Sequence, residues 1–188
     1  MYGIIFCRTR VETVELSAKL RQDGYDVDLL NGDLSQEQRD YVMNQFHKKD
    51  LRLLIATDVA SRGLDVNSLT HIINYNLPDE LPVYVHRSGR TGRAGLSGKA
   101  LSLVTRRESG RIHALKRMVG QPFIQSTLPT NADIYRAQLS ATVSRIDSIE
   151  MNEQDTEVYD EYFAEALSKY PPEEVIQRMA LLLCGNIL

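Results

Sequence analysis

The segment His86-Arg87-Ser88-Gly89-Arg90-Thr91-Gly92-Arg93 spaces three arginines three residues apart in a glycine-rich run. Guanidinium groups stay charged at any working pH and meet phosphate oxygens through two parallel hydrogen bonds. The glycines let a backbone approach a ligand or a neighbouring domain closely. An isolated R-x-x-R would read as a basic surface turn, whereas this longer run points to phosphate recognition. A second segment, Ala56-Thr57-Asp58-Val59-Ala60-Ser61-Arg62-Gly63-Leu64-Asp65, directly follows the apolar Leu53-Leu54-Ile55. Thr57, Arg62 and Asp65 would emerge at the carboxyl end of a strand. A hydroxyl and an arginine suit a nucleic-acid phosphate, and a carboxylate accepts from a ribose hydroxyl. Asp58 reads better as a helix N-cap than as a ligand contact. A third segment, Asn31-Gly32-Asp33-Leu34-Ser35-Gln36-Glu37-Gln38-Arg39, puts a turn before a helix N-terminus, whose free amides attract phosphate. Gln36 and Arg39 share one face of its first turn. Taken alone, this segment reads as a capped surface helix.

Alternating strands and helices must position these groups. Gly3–Phe6, Val27–Leu30, Leu51–Ala56, Ile72–Tyr75 and Ala100–Val104 read as strands. Thr9 opens a helix whose Val11, Val14 and Ala18 recur at helical spacing, and Gly24 ends it. Ser35 and Gln38 form a capping-box pair before Tyr41, Val42 and Phe46. Further helices are expected at Val83–His86 and Arg106–Met118. The pattern predicts an α/β fold, a mostly parallel sheet with helices on both faces. Ligands of such sheets sit beyond the carboxyl ends of the strands.

After Pro129 the pattern becomes helical. Tyr135, Leu139, Thr142, Ile146 and Ile149 form one stripe. Met151–Thr156 is polar and loop-like, and Val158–Tyr170 and Glu173–Leu183 read as two more helices around Pro171-Pro172. We therefore expect two domains, 1–128 and a small all-α extension, 129–188. The net charge of −3 is divided unevenly. Residues 1–130 carry 18 Lys and Arg against 14 Asp and Glu, and residues 131–188 carry 4 against 11. A basic first part suits phosphate partners and an acidic tail does not. No apolar run approaches the roughly 20 residues of a membrane span, and no signal pattern opens the chain. Cys7 and Cys184 form no metal-ligand pattern and read as reduced thiols of a cytoplasmic protein.

In their order, these segments resemble the second RecA-like domain of DEAD-box ATP-dependent RNA helicases, over residues 2 to about 128. Gly3-Ile4-Ile5-Phe6-Cys7-Arg8-Thr9-Arg10 resembles motif IV and Gln36 to Arg39 the Q-x-x-R of motif IVa. Thr57 to Asp65 resembles motif V, Asn74-Tyr75-Asn76-Leu77-Pro78 the stretch after it, and His86 to Arg93 motif VI. Asn31 and Ser88 depart from the residues common in the family, His and Ile, without removing a charge. The resemblance implies that Arg90 and Arg93 reach the γ-phosphate of ATP as arginine fingers and that Asp65 contacts the ribose. His86 and Arg87 would couple to an acidic motif across a cleft. Gly32, Asp33, Gln36, Arg39, Thr57 and Arg62 would hold the RNA backbone, with Thr9 and Arg10 nearby.

No phosphate-cradling G-x-x-x-x-G-K-[ST] and no Asp-Glu-Ala-Asp occurs. The chain therefore reads as one part of an enzyme whose Mg²⁺ carboxylates and main ATP site lie on an N-terminal RecA-like domain, and it should be inactive alone. The tail resembles, more faintly, the helical extension that dimerises some bacterial DEAD-box proteins. The alternatives are a helical appendage packed on its own sheet, a non-catalytic RNA-binding or dimerisation module, and a DNA helicase of the wider superfamily.

Overall fold

The computed structural model describes residues 1–61, 66, 69–92, 95, 97–150 and 166–184, the side chain of Cys184 excepted. They fall into two compact units, Met1–Phe123 and Ile124–Leu188. Among them, no helix is long and apolar enough to cross a membrane.

The first unit is built on five parallel strands. They are β1 (Gly3–Cys7), β2 (Val27–Leu30), β3 (Leu53–Thr57), β4 (His71–Asn74) and β5 (Lys99–Ser102), in the order β2-β3-β1-β4-β5. β1 and β3 are buried at every residue, which is why both read as continuous apolar runs rather than alternating ones. Successive side chains serve opposite layers. Ile4 and Phe6 join Leu30, Leu54 and Ala56 beneath Val42 and Phe46 of α2 (Gln36–Lys48). Ile5, Cys7, Val27, Leu53 and Ile55 pack instead against Leu16 and Leu20 of α1 (Arg10–Gln22). Full burial of one such side chain contributes about 1.5–3 kcal/mol. A third cluster joins Leu77, Tyr84 and Leu115, from α3 (Leu81–Ser88), α4 (Ser109–Val119) and the loop before α3.

The expected fold class is present, with helices on both faces, and strand and helix limits differ by a few residues. The inward face of α1 is not the expected one. Val11 and Val14 are exposed, and Ala18 is exposed as well, while Thr13 and Ser17 are buried. Thr13 turns inward because its hydroxyl donates to the Arg10 carbonyl (2.6 Å) and accepts from Asn31 Nδ2 (2.9 Å). A buried polar pair thus replaces an apolar contact at the sheet's carboxyl edge. The capping box expected at Ser35 and Gln38 forms, and the helix start expected at Thr9 is a capping box as well, with Glu12 as its second half.

The free side of β2 is covered by side chains. Arg21 Nε donates to the Val27 carbonyl (3.0 Å), its Nη2 pairs with Asp28 (2.5 Å), and the same carboxylate oxygen accepts the Leu29 amide (2.8 Å).

In the second unit, α5 (Asn131–Asp147) and α6 (Pro172–Cys184) pack together. Pro172 opens α6, a favoured place for proline. Tyr135 and Leu139 are half-buried, whereas Ile146, Ile149, Met179 and Leu182 remain exposed. The expected loop Met151–Thr156 and residues 158–165 of the expected helix lie outside the described residues.

Candidate functional site

Because all five strands are parallel, their carboxyl ends lie along one edge, where the loops after β1, β2 and β3 gather. After β2, Asn31 is 3% exposed. Its Nδ2 holds Thr13 and its Oδ1 accepts the Asp33 amide (2.9 Å), fixing the turn through Gly32. Asp33 carries an ion pair with Arg10, from the start of α1. Ser35 then caps α2, with Gln36 and Arg39 following. Gln36 donates to Asp40 (2.8 Å), and Arg39 Nη2 donates to the Ala60 carbonyl (2.6 Å). That bond draws the start of α2 to the turn after β3. There the Thr57 hydroxyl accepts the Ala60 amide (3.5 Å) and the Thr57 carbonyl accepts the Ser61 amide (3.0 Å). The structure thus brings Gly32, Asp33, Gln36, Arg39 and Thr57 to one stretch of the edge. Arg62 and Asp65 lie outside the described residues.

β1 and β4 are joined at their ends by a polar clasp. The Arg8 amide donates to Asn76 Oδ1 (2.9 Å), and Asn76 Nδ2 donates to Glu12 Oε1 (3.1 Å). Glu12 Oε2 also accepts the Thr9 and Arg8 amides (2.9 and 3.1 Å). Burial pushes the Glu12 carboxyl up, but the bonds from Thr9, Asn76 and Arg8 together hold it below its ordinary range. The fully buried Cys7 thiol beneath is pushed up to about 12, by burial first and the Glu12 charge second.

The arginine segment continues from α3. His86 is exposed. Arg87, for which the sequence suggests coupling across a cleft, is 3% exposed and turned into its own fold. Its Nε and Nη2 donate to the two oxygens of Asp58, each at 2.6 Å. Its Nη1 donates to Asn74 Oδ1 (2.8 Å) and the Asn76 carbonyl (3.0 Å), and the guanidinium lies 4.7 Å from the Phe6 ring centre. A guanidinium this deep needs a carboxylate and further acceptors, and these residues supply them. Asp58 is accordingly the partner of Arg87 rather than a helix N-cap. Asn74, fully buried in β4, was hidden in the sequence, although an asparagine in an apolar strand signals a buried hydrogen-bond network.

Arg90 is half-buried in the turn after α3, its amide bonded to the Arg87 carbonyl (3.1 Å). Thr91 donates to the Leu69 carbonyl, and Gly98 packs so tightly on it that a Cβ there would overlap the Thr91 hydroxyl. The turn carrying Arg90 is thus fixed on both sides. Arg93 lies outside the described residues. No group of three or more His, Cys, Asp or Glu that could hold a metal ion occurs among the described residues.

The helicase conserved C-terminal domain family matches residues 3–95, which carry β1 to β4 and most of the loops just described. A probable ATP-dependent RNA helicase of Methanocaldococcus jannaschii is 50% identical over 116 residues, 62% of this chain and 32% of that protein. The ATP-dependent RNA helicase CshA of Limosilactobacillus reuteri is 34% identical over 173 residues, 92% of this chain and 35% of that protein. Dbp5 of S. cerevisiae, in a structure with RNA and ADP BeF3, superposes with a TM-score of 0.62 at 32% identity. The match covers 67% of this chain and 34% of Dbp5. The chain belongs to the DEAD-box RNA helicases, as their C-terminal helicase domain. It spans about a third of the length of these curated relatives.

Proposed function

We propose that the chain is the arginine-bearing half of an ATP-dependent RNA helicase, acting with an N-terminal RecA-like domain that carries the phosphate-cradling loop. The observation that carries this reading is the Arg39–Ala60 bond, which sets the start of α2 beside the end of β3. Gly32, Asp33, Gln36, Arg39 and Thr57, joined by Arg62, hold the RNA sugar-phosphate backbone. Contacts of this kind position a strand without reading its sequence. The RNA and nucleotide analogue bound to Dbp5 support the same ligand classes here.

Arg90 and Arg93 act on the γ-phosphate of ATP, Asp65 on its ribose, and His86 couples to the facing domain. The Arg87–Asp58 pair supports this role for Arg90 by anchoring the end of α3. Mg²⁺ accompanies ATP, its carboxylate ligands belonging to the facing domain. RNA-stimulated hydrolysis then drives duplex remodelling in the cytoplasm. The exposed Ile146, Met179 and Leu182 support a further role for residues 129–188 as a dimerisation module.

The test compares ATPase stimulation by RNA and by DNA in the protein carrying both domains. Stimulation by RNA alone is expected, and equal stimulation by DNA contradicts the reading. Arg39→Ala should weaken RNA binding and flatten log K against log[salt] by about 0.7, the share of one phosphate contact on a single strand. An unchanged slope removes Arg39 from the RNA contacts.

A further inference from the structure

We propose that a basic stripe on the outer side of α4 is a second surface for RNA backbone phosphates, continuing the sheet-edge site beyond β5. The stripe starts in the 3-10 turn Arg106–Glu108, which follows β5 and leads into α4. Within α4, Gly110, His113 and Arg117 step by three and four residues, the spacing of one helical face, and Arg106 precedes them in the 3-10 turn. Arg107 and Lys116 flank them. Apart from Gly110, these are basic side chains, and all six positions are exposed.

Arg8 and Arg111 both lie near Glu108, at 3.8 and 3.9 Å. Among the described residues, Arg106, Arg107, Lys116 and Arg117 enter no ion pair. Gly110 leaves the middle of the stripe open, with nothing beyond its chain neighbours and its own helix backbone within 4 Å of where a Cβ would stand. A phosphate chain can therefore lie close to the helix between the two basic ends.

Helix stability explains only half of this pattern. Lys116 and Arg117 occupy the last turn of α4, where cations favour the helix dipole. Arg106 and Arg107 stand just before its first turn, where the same dipole disfavours them. An unfavourable pair of charges without counter-ions is better explained by an anionic ligand. Guanidinium groups suit phosphate because their donors match its oxygens in pairs.

Position selects the ligand. Arg106 and Arg107 follow the carboxyl end of β5, on the same sheet edge as Thr57, Arg39 and Arg10. Three strand spacings separate β3 from β5, about 14 Å, a distance of a few nucleotides. A strand held at the ends of β2 and β3 can thus run on past β1 and β4 to the stripe. The inference rests on the reading that the edge holds RNA.

Fluorescence anisotropy of the 188-residue chain tests it. A hexanucleotide and a strand about three times as long are titrated at several salt concentrations, with Arg39→Gln as the control for the edge site. On the long strand, Arg106→Gln/Arg117→Gln should flatten log K against log[salt] by about 1.4, two contacts of roughly 0.7 each. On the hexanucleotide it should change nothing, whereas Arg39→Gln should flatten both. Far-UV circular dichroism should be unchanged, since the replaced side chains are exposed. If Arg39→Gln flattens the slopes and the double variant matches the parent on both strands, the stripe is overturned and the edge site stands. The same result with weakened binding of an acidic peptide would assign the stripe to a protein partner and also overturns the proposal. Absence of RNA binding at low salt overturns the stripe and the edge site together.

Discussion

Arg87 grips Asp58 with two parallel bonds of 2.6 Å, across 29 positions of sequence. The pair joins α3 to the turn after β3. Asn74 and the Asn76 carbonyl take further donors of the same guanidinium, so one side chain ties together three segments.

Removing the carboxylate leaves that guanidinium buried without its counter-charge. Asp58→Asn should destabilise the chain by about 3 kcal/mol, the lower end for breaking a buried pair, because the Asp58 side chain keeps 34% of its surface in water. Arg87→Lys should recover little, as an ammonium cannot span both oxygens. Denaturant unfolding of the variants measures both effects. A loss within experimental error for Asp58→Asn would show that solvent or another group replaces the carboxylate.

In the protein carrying both domains, Arg90→Ala should lower kcat for RNA-stimulated hydrolysis by about 10³–10⁵ while nucleotide affinity changes little. The chain by itself should release no phosphate above buffer. Steady-state kinetics with separate nucleotide-binding measurements check the first. Turnover by the purified 188-residue chain would contradict the second.

Glu12 gives the fold a dependence on acid. Its folded pKa lies below the ordinary 4.5, so its stabilising contribution is complete above that value. The contribution is lost as pH falls through the folded pKa. Glu12→Ala should cost about 1 kcal/mol at neutral pH, typical of a lost cap, and less once the parent carboxylate is protonated. Glu12→Gln should flatten the dependence. Unfolding midpoints from neutral pH into the acid range follow it, and parallel curves for parent and Glu12→Gln would assign the acid dependence to other groups.

The chain should sediment as a dimer at micromolar concentration, and a version ending at Pro129 as a monomer. Exposed apolar side chains on α5 and α6 are costly in water, and a two-fold arrangement is the commonest way to cover them. Equilibrium sedimentation of both lengths decides it. A monomeric long form would withdraw the dimer.

The sheet was legible because β1 and β3 are apolar on both faces, and the helix starts were legible because the Thr9 hydroxyl and the Ser35–Gln38 pair act within a few residues. Longer connections were not. Val11 and Val14 fit helical periodicity, yet Thr13 is the residue turned inward, since its hydroxyl meets Asn31 from another loop. The spacing of Arg87, Arg90 and Arg93 announced phosphate chemistry but not the direction of each guanidinium. Arg87 points inward because Asp58, Asn74 and Asn76 surround it, and no local pattern links those positions.

At the other end of the sheet, Arg21 and Asp28 act as a lock on the margin of β2. A foreign strand arriving there finds the Val27 carbonyl and the Leu29 amide already engaged, and displacing Arg21 would leave Asp28 without its cation. Growth of the sheet by main-chain pairing is therefore obstructed on this side. A protein that docks here must do so through side chains, and the domain can be crowded against copies of itself without zipping into a shared sheet along β2.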